Sequence, residues 1–480
     1  MQVMSDLLSR LAAGLGPNSI FTDPVDKEPH EHEGRKLYRG RALAVLKPRS
    51  TAEVAEIVKL ARAAGTPIVV HSGNTGLTGG GVPYDALVIS TERMNTVQDL
   101  DVANATITVG AGMVLADVQR AASDAGMLFP LSLGAEGSCR IGGNVSSNAG
   151  GIGVLRYGNT RDLVLGLEVV LADGRIWNGL KKLRKDNAGY DLKHLFIGSE
   201  GTLGIVTAAS LKLFPKPLSR AIAFVGAATP HAMMALFQKA RADCGTALSA
   251  FELLPRFGLE ASLKHIPGTV RPLAGDHAWL AVIELTSPAA DAPLRDDLET
   301  LLGAAFEDGL IEDATIAQSE AQALGFWRIR EGLSEAQGPE GASIKHDVSV
   351  PVSRVADFIV EATALCEAAL PGIRVCAFGH AGDGNIHFNL SQPVGMDPAA
   401  YLAEWHHFNT IVHDKVVALH GSIAAEHGIG LIKRDELVHY KDPVTIDLMR
   451  TLKRALDPDN LLNPGKVISI GDNAPPALPV

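Results

Sequence analysis

Two imidazoles, a carboxylate and a third histidine gather toward the C-terminal end of the chain. GHAGDGNIHFN carries His380 and His387 with Asn389, and AEHG adds Glu426 and His427. Nitrogen and oxygen donors of this kind suit a catalytic divalent cation with an open coordination position, a place that zinc, manganese or iron can take. The spacing is not that of a helical-face pair such as HExxH, and the sequence holds 16 histidines, so the bare spacing leaves structural histidines as the alternative. Upstream, FWRIREGLSEA sets Arg330 and Ser334 four residues apart, on one face of an expected helix over 319–333, and Lys345 opens the strand SIKHDVSVP. Cations so placed would clamp a carboxylate. Arg328 competes on the same helix, and a solvated charged face is the other reading.

A second chemistry is written in glycine. SGNTGLTGGG at 72–81 follows a strand, and residues 134–158 hold eight glycines in 25. Neither is a GxGxxG opening a helix, and GAGMVLA at 110–116 lacks that spacing, so nicotinamide binding on a Rossmann unit is disfavoured. Consecutive loop N–H groups beside glycines instead form a nest for a diphosphate, and the serines and asparagines of LSLGAEGSCRIGGNVSSNAGG suit the flanks of a long cofactor.

The elements that must position these groups alternate. ALAVLKP, TAEVAEIVKLARAAG, PIVV and ALVIS read as strand, helix, strand, strand, with Ser50 and Glu53 as a capping box and Gly65 then Pro67 as the stop. LEVVLADGRIW is a hairpin turning at Asp173-Gly174, and Pro215 with Pro217 marks a boundary. Beyond it, AIAFVGAA, LSAFELLP, AWLAVIELTS, DATIAQ and KHDVSVPV alternate with helices at 230–243, 293–307 and 319–333, a second α/β mass. A helix over 400–419 follows, and the terminal DNAPPALPV reads as frayed chain.

Composition narrows the class. With 43 Lys+Arg against 54 Asp+Glu the net charge is −11, so nucleic acid is not an expected partner. No apolar run reaches a membrane-spanning length of roughly 18 residues, and the N-terminal MQVMSDLLSRLAAGLG lacks a basic and then continuously apolar leader, so a cytoplasmic protein without an integral anchor is expected. Cys139, Cys244, Cys366 and Cys376 show no CxxC spacing and read as core residues.

GNTG at 73–76, IGGNVSSNAGG at 141–151, RKDNAGYDLKHLFIGSEGTLGIVT at 184–207, GHAGDGNIH at 379–387, AEHGIG at 425–430 and LLNPGK at 461–466 together resemble the FAD-linked oxidases of the vanillyl-alcohol-oxidase type. Within them the sequence is most similar to the branch of D-2-hydroxyglutarate dehydrogenase, D-lactate dehydrogenase and the glycolate oxidase flavin subunit, over about residues 40–468. The resemblance implies an α+β chain: an N-terminal segment (1–38), a PCMH-type FAD-binding domain (39–217), an inserted α/β substrate domain (218–424) and a segment returning to the flavin (425–480). It implies FAD contacts at Ser72, Gly73, Asn74, Thr75, Gly76, Leu77, Gly80 and Gly81, at Pro130, Leu133, Gly134, Gly137, Ser138, Gly142, Gly143, Asn148, Gly150 and Gly151, and at Glu200, Gly201, Gly204, Ile205 and Asn463. Some relatives bond the flavin to a histidine after the first-loop glycines; Asn74 stands there and His71 lies before Gly73, so non-covalent FAD is expected, His71 also reading as an ordinary strand-end side chain.

By the same resemblance His380, His387 and Glu426 hold the metal, zinc first and manganese or iron next, His427 is the base, and Arg330, Ser334, Lys345, Asn389 and His427 hold the substrate, with Ser334 where the branch has threonine. The implied reaction is oxidation of a D-2-hydroxy acid, D-2-hydroxyglutarate foremost, with D-lactate, D-malate or glycolate as alternatives within the class. A metal-dependent hydrolase and an inert flavin-binding subunit are the alternatives outside it. Electrons would pass to an electron-transfer flavoprotein, a quinone or a cytochrome, none of which the sequence marks. A homodimer is the assembly left open.

Overall fold

The computed structural model describes residues 2–16 and 18–470, so the terminal DNAPPALPV lies outside the described residues. The chain divides into two compact units, one of Met1–Gly150, Gly158–Pro215 and His427–Val480, the other of Gly151–Tyr157 and Lys216–Glu426.

In the first unit, helix α1 (Gln2–Gly14) shares a hydrophobic core with a four-stranded sheet in the order β1 (Ile20–Phe21), β2 (Arg41–Leu46), β4 (Tyr84–Ser90), β3 (Ile68–His71). The last three strands run parallel, which requires the crossover helix α2 (Thr51–Ala63) between β2 and β3. Apolar residues at helical spacing put Val54, Ile57, Val58 and Ala61 into the core. Ser50 Oγ accepts the Glu53 N–H at 3.2 Å, but Glu53 returns its carboxylate to Arg49 N at 2.7 Å, so the expected box is only half made. A five-stranded antiparallel sheet follows, ordered β5 (Val97–Asp101), β6 (Thr106–Gly110), β9 (Ile205–Lys212), β7 (Val164–Val170), β8 (Ile176–Gly179). Gly174 closes the β7–β8 hairpin at φ +80°.

The C-terminal stretch rejoins this unit at β3. Ile68 donates to Leu461 O at 2.9 Å and Asn463 N to Ile68 O at 2.7 Å. A buried ion pair fixes that return: Lys453 Nζ meets Asp457 at 2.5 Å and the carbonyls of Thr202 and Leu462 at 2.8 Å, while Asp457 accepts the N–H groups of Leu461 and Leu462.

The second unit is a seven-stranded sheet in the order β13 (Asp313–Ile316), β10 (Ser219–Ala227), β12 (Trp279–Ser287), β11 (Leu248–Pro255), β15 (Arg374–His380), β16 (Asn385–Ser391), β14 (Ser343–Ser349). The expected second α/β mass is a mixed layer of strands and helices in which every neighbouring pair of strands is antiparallel. The helices do join parallel strands, β10 to β11 through α3 (Pro230–Cys244) and β14 to β15 through α4 (Val355–Ala369). Each parallel pair is then split by an antiparallel strand, β12 in the first case and β16 in the second. One sheet face buries Phe251, Leu253, Ala377, Phe388 and Leu390 with α3 and α4. The opposite face carries Leu254, Cys376 and Phe378 beneath Phe326 and Ile329 of α5 (Glu320–Glu331). Among the described residues no helix is long and apolar enough to cross a membrane, and all four cysteines are free thiols.

Removing one partner of a buried ion pair leaves an uncompensated charge, so Asp457→Ala should lower stability by about 3–5 kcal/mol. Denaturant unfolding followed by tryptophan fluorescence measures it, and a midpoint equal to wild type would show that the return segment does not depend on this pair.

Candidate functional site

Strand register brings the predicted polar residues onto one face of the second unit. Glu252 of β11 pairs with His380 of β15; two residues before His380, Phe378 pairs with His387 of β16, and His387 pairs with Asp347 of β14. Two residues further along β16, Asn389 pairs with Cys376 on one side and Lys345 on the other. Side chains of paired residues share a face, so four strands from distant parts of the sequence contribute to one array.

Glu252 organises one end of that array. Its side chain is 1% exposed, its Oε1 lies 2.8 Å from His380 Nδ1, and its Oε2 accepts from Arg330 Nε at 2.8 Å and Nη2 at 2.7 Å. Burial alone would raise this carboxyl, but His380 and Arg330 override it and hold it at about 2. Burial opposes charge on His380 as well, and Glu252 nonetheless lifts it to about 9. Arg330 also lies over the Phe378 ring at 5.1 Å. Its competitor Arg328 is exposed and reaches Gly268 O. The expected helix over 319–333 stops at Glu331 with Gly332 as its cap, and Ser334 sits on a following short turn, Leu333–Ala336, where it is exposed while Arg330 is buried.

At the other end, His387 Nε2 is 3.5 Å from Glu426, and its Nδ1 is 3.8 Å from Asp347. One ligand atom from each of Asp347, His387 and Glu426 lies within 4.8 Å of the others. The rings of His380 and His387 meet edge to face with centroids 5.9 Å apart. Asp347 takes Asn385 Nδ2 on one oxygen and the Glu426 N–H on the other, each at 3.0 Å. Burial, then the neighbouring Asp347 charge, lifts Glu426 to about 7, and burial lifts Asp383 to about 6. The His387 imidazole and the Asp347 and Glu426 carboxylates, crowded at this density, fit a divalent cation, whereas His380, expected as a ligand, lies outside this close set and beside it. Asn389 is buried and donates to Gln337 Oε1 at 3.1 Å, with Lys345 opposite it in the register. Glu252 and Asp347 were not read from the sequence. The signal for Glu252 was an acid standing alone in the apolar strand LSAFELLP; Asp347 stood beside Lys345 and His346 in KHDVSVPV.

The glycine loops belong to the first unit. Among the described residues, the backbone N–H groups of Gly73 through Gly81 meet no acceptor. A Cβ on Gly73 would lie 2.6 Å from Ser138 O and one on Gly142 2.7 Å from Ser72 Oγ, so the loops pack with no room for side chains. Gly76, Gly134 and Gly137 face open space where a side chain would stand. Unspent donors beside an open, glycine-lined surface fit the diphosphate of FAD. Thr75, Leu77 and Leu133 are half-buried beside it, Pro130 and Gly150 are buried, and Gly143 is half-buried, while Gly151 falls in the second unit.

Several other predicted positions serve as ties. Asn74, at φ +51°, donates to Pro29 O and His32 O at 3.3 Å. Asn148 caps α6 (Ile141–Ser147) in the left-handed region and accepts Arg161 N. Glu200 accepts the N–H groups of Ile429 at 2.7 Å and Gly430 at 2.9 Å, which fixes the loop that carries His427; burial raises its carboxyl. Asn463 Nδ2 donates to Gly80 O and Glu200 O. A Cβ on Gly81 would meet Asn74 Oδ1 at 2.9 Å, and one on Gly204 would strike Val169 and Phe196, whereas Gly201, at φ +72°, faces open space. Ile205 is buried at the start of β9. His71 is buried at the end of β3, its Nδ1 2.9 Å from His30 Nδ1 and its Nε2 2.6 Å from Gly81 O, and burial holds it near 4, so it is neutral. His427 begins the return of the chain to the first unit, its carbonyl accepting from Thr78 Oγ1 at 3.4 Å.

Two family models match, an FAD binding domain over residues 42–179 and the C-terminal domain of FAD linked oxidases over residues 216–467. The chain is 39% identical over 463 residues to the D-2-hydroxyglutarate dehydrogenase of Xanthomonas citri pv. viticola, covering 96% of each. It is 38% identical over 456 residues to the mitochondrial D-2-hydroxyglutarate dehydrogenase of Arabidopsis thaliana, covering 95% of this chain and 80% of that one. Its fold matches p-cresol methylhydroxylase with substrate bound, with a TM-score of 0.77, 16% identity and 98% of both chains covered. It also matches 4-ethylphenol oxidase from Gulosibacter chungangensis, with a TM-score of 0.74, 18% identity and 98% of both chains covered.

In the metal-free protein the raised His380 stays protonated up to about pH 9 and the raised Glu426 is protonated below about pH 7. A cation bound there has to displace those protons, so zinc affinity should climb between pH 6 and pH 8 by up to about tenfold per pH unit for each proton displaced. Competition with a chromogenic chelator measures it, and a flat profile would remove both residues from the ligand set.

Proposed function

This chain belongs to the FAD-linked oxidases and is an FAD-dependent oxidoreductase; from that premise we propose that it oxidises a D-2-hydroxy acid to the 2-oxo acid, D-2-hydroxyglutarate to 2-oxoglutarate before D-lactate, D-malate or glycolate. The observation that supports this reading is the sheet face itself, where Arg330, Lys345 and Asn389 stand with His380, His387 and Glu426. The names of the relatives at 38% and 39% identity point to the five-carbon diacid. Family membership sets aside the hydrolase.

The division of labour follows from the residues. Lys345 and Arg330 supply cationic donors for carboxylate oxygens, Asn389 an amide donor and Ser334 a hydroxyl. His427, a neutral imidazole in this role, takes the proton of the substrate hydroxyl. An alcohol is too weak an acid to lose that proton unaided at neutral pH, and a divalent cation on His380, His387 and Glu426 would supply the Lewis acidity that lowers its pKa. FAD on the glycine loops would supply the hydride acceptor, held without a covalent bond because Asn74 occupies the position in question. The acceptor that reoxidises it is an unidentified flavoprotein, quinone or cytochrome, and the cytoplasm is the proposed compartment, although the Arabidopsis relative's name carries mitochondrial.

Anaerobic D-2-hydroxyglutarate should bleach the yellow protein while the L-enantiomer leaves it coloured. Chelation should stop bleaching without releasing flavin, and acid precipitation should leave the colour in the supernatant. A protein bleached by no D-2-hydroxy acid would overturn the proposal.

Arg330→Ala would also strip Glu252 of a partner, so Lys345→Ala is the cleaner probe of the acid clamp. One charge-assisted contact is worth about 1.5–3 kcal/mol, which predicts a fall in kcat/KM of about 10- to 150-fold. Unchanged kinetics with D-2-hydroxyglutarate would take Lys345 out of the substrate site.

A further inference from the structure

We propose that Glu252 is a positioning residue that joins the metal-binding and acid-binding ends of this face, one carboxylate oxygen setting the His380 ring and the other setting the Arg330 guanidinium. The inference rests on the function proposed above and extends it to a residue that touches neither metal nor substrate in that scheme.

The geometry is specific. Oε1 is engaged by His380 Nδ1 at 2.8 Å, and Oε2 by Arg330 Nε and Nη2 at 2.8 and 2.7 Å, so each oxygen serves one partner. An imidazole whose Nδ1–H is held by a carboxylate has its lone pair on Nε2, the nitrogen left to ligate a cation, and such outer partners fix both tautomer and ring orientation. An arginine held through Nε and Nη2 keeps Nη1 for a second acceptor, and Phe378, 5.1 Å beneath it, limits its tilt. The β11–β15 register places Glu252 directly opposite His380, so the strand pairing itself sets this contact.

Burial argues in the same direction. All eight residues of Leu248–Pro255 are buried, and Glu252 is the charged residue among them. Replacing a buried ion-pair set by well-packed apolar groups is often neutral or stabilising, so packing alone gives little reason for a carboxylate here. Orientation of two functional side chains is a reason that a leucine could not satisfy.

Glu252→Gln keeps size and shape and tests this on the FAD-loaded protein. With its amide oxygen toward Arg330, its NH₂ donates to His380 Nδ1 and moves the ring proton to Nε2, the wrong tautomer for a ligand. With the amide reversed, NH₂ opposes the guanidinium. Zinc affinity, measured by chelator competition without substrate, should fall about 10- to 100-fold. Affinity for 2-oxoglutarate, read from the perturbed flavin spectrum, should fall about tenfold or more, while flavin content stays at the wild-type level. Glu284, a second buried carboxylate in this sheet, bonded to Ser249 and Trp327, is the control: Glu284→Gln should leave both affinities unchanged. If the glutamine variant fails to fold, Glu252→Asp, one methylene short of spanning both partners, should lose at least one of the affinities. Unchanged zinc affinity in a folded Glu252→Gln overturns the proposal, and so does a zinc defect with wild-type 2-oxoglutarate binding. Wild-type protein that binds none of the 2-oxo acids would sink the substrate reading, and the zinc measurement would still decide whether Glu252 holds His380.

Discussion

An ionised carboxylate taken out of water must find its counter-charges inside the fold, and Glu252 finds His380 and Arg330, 128 and 78 residues away in the chain. Neither partner is local, so the contact exists only once strand β11, strand β15 and helix α5 are all in place. The penalty for leaving any of the three unpaired at 1–9% side-chain exposure makes the arrangement close to all-or-none. The first unit uses the same device where Asp457 collects Lys453 and the N–H groups of Leu461 and Leu462. There the pinned segment delivers Asn463 to Gly80 and Glu200. In both units a buried charge fixes a part of the chain that carries proposed site residues.

The split crossover topology explains why the second unit can host a polar face at all. A doubly covered parallel sheet would bury both surfaces of its central strands. Here α3 and α4 cover one surface, and α5 covers the other over part of its width, so β14 and β16 turn Lys345, Asp347, His387 and Asn389 toward one side while Ile344, Val348, Ile386, Phe388 and Leu390 fill the core on the reverse. Period-two alternation in SIKHDVSVP and NIHFNLS states that division in the sequence. The glycine loops meet the opposite requirement, because they keep side chains away from backbone donors.

What local pattern encodes, the sequence therefore shows: the α2 helix with its cap and stop, the Asp173-Gly174 hairpin, the FAD-linked oxidase family and its fold class. What depends on strand order does not appear in it. Strands alternating with helices look parallel until β12 and β16 are known to insert between the joined pairs, and no single-strand pattern announces an insertion. Glu252 and Asp347 were missed for the same reason, since a strand acid, whether alone in LSAFELLP or beside Lys345 and His346, has no cross-strand partner until the register supplies one. Arg330 and Ser334 were joined by helical spacing, whereas Gly332 ends the helix between them, leaving one buried and the other exposed.

Charge economy then connects the sheet face to its proposed substrate. The chain has a net charge of −11, and Arg330, one of the cations on this face, already spends two donors on Glu252. Asp347, Asp383 and Glu426 crowd the other end closely enough that burial and mutual repulsion raise Glu426 to about 7. That acidic end is unfavourable for a carboxylate, because buried like charges act at low dielectric. A divalent cation held there would favour the ionised Glu426 and offset Asp347, making that end attractive to a carboxylate. Metal and acid would therefore bind with positive coupling, each lowering the electrostatic cost of the other. Glu252 then has a reason to be an anion as well as a spacer, since it offsets part of the positive charge that Arg330 and a metal-bound His380 would place side by side.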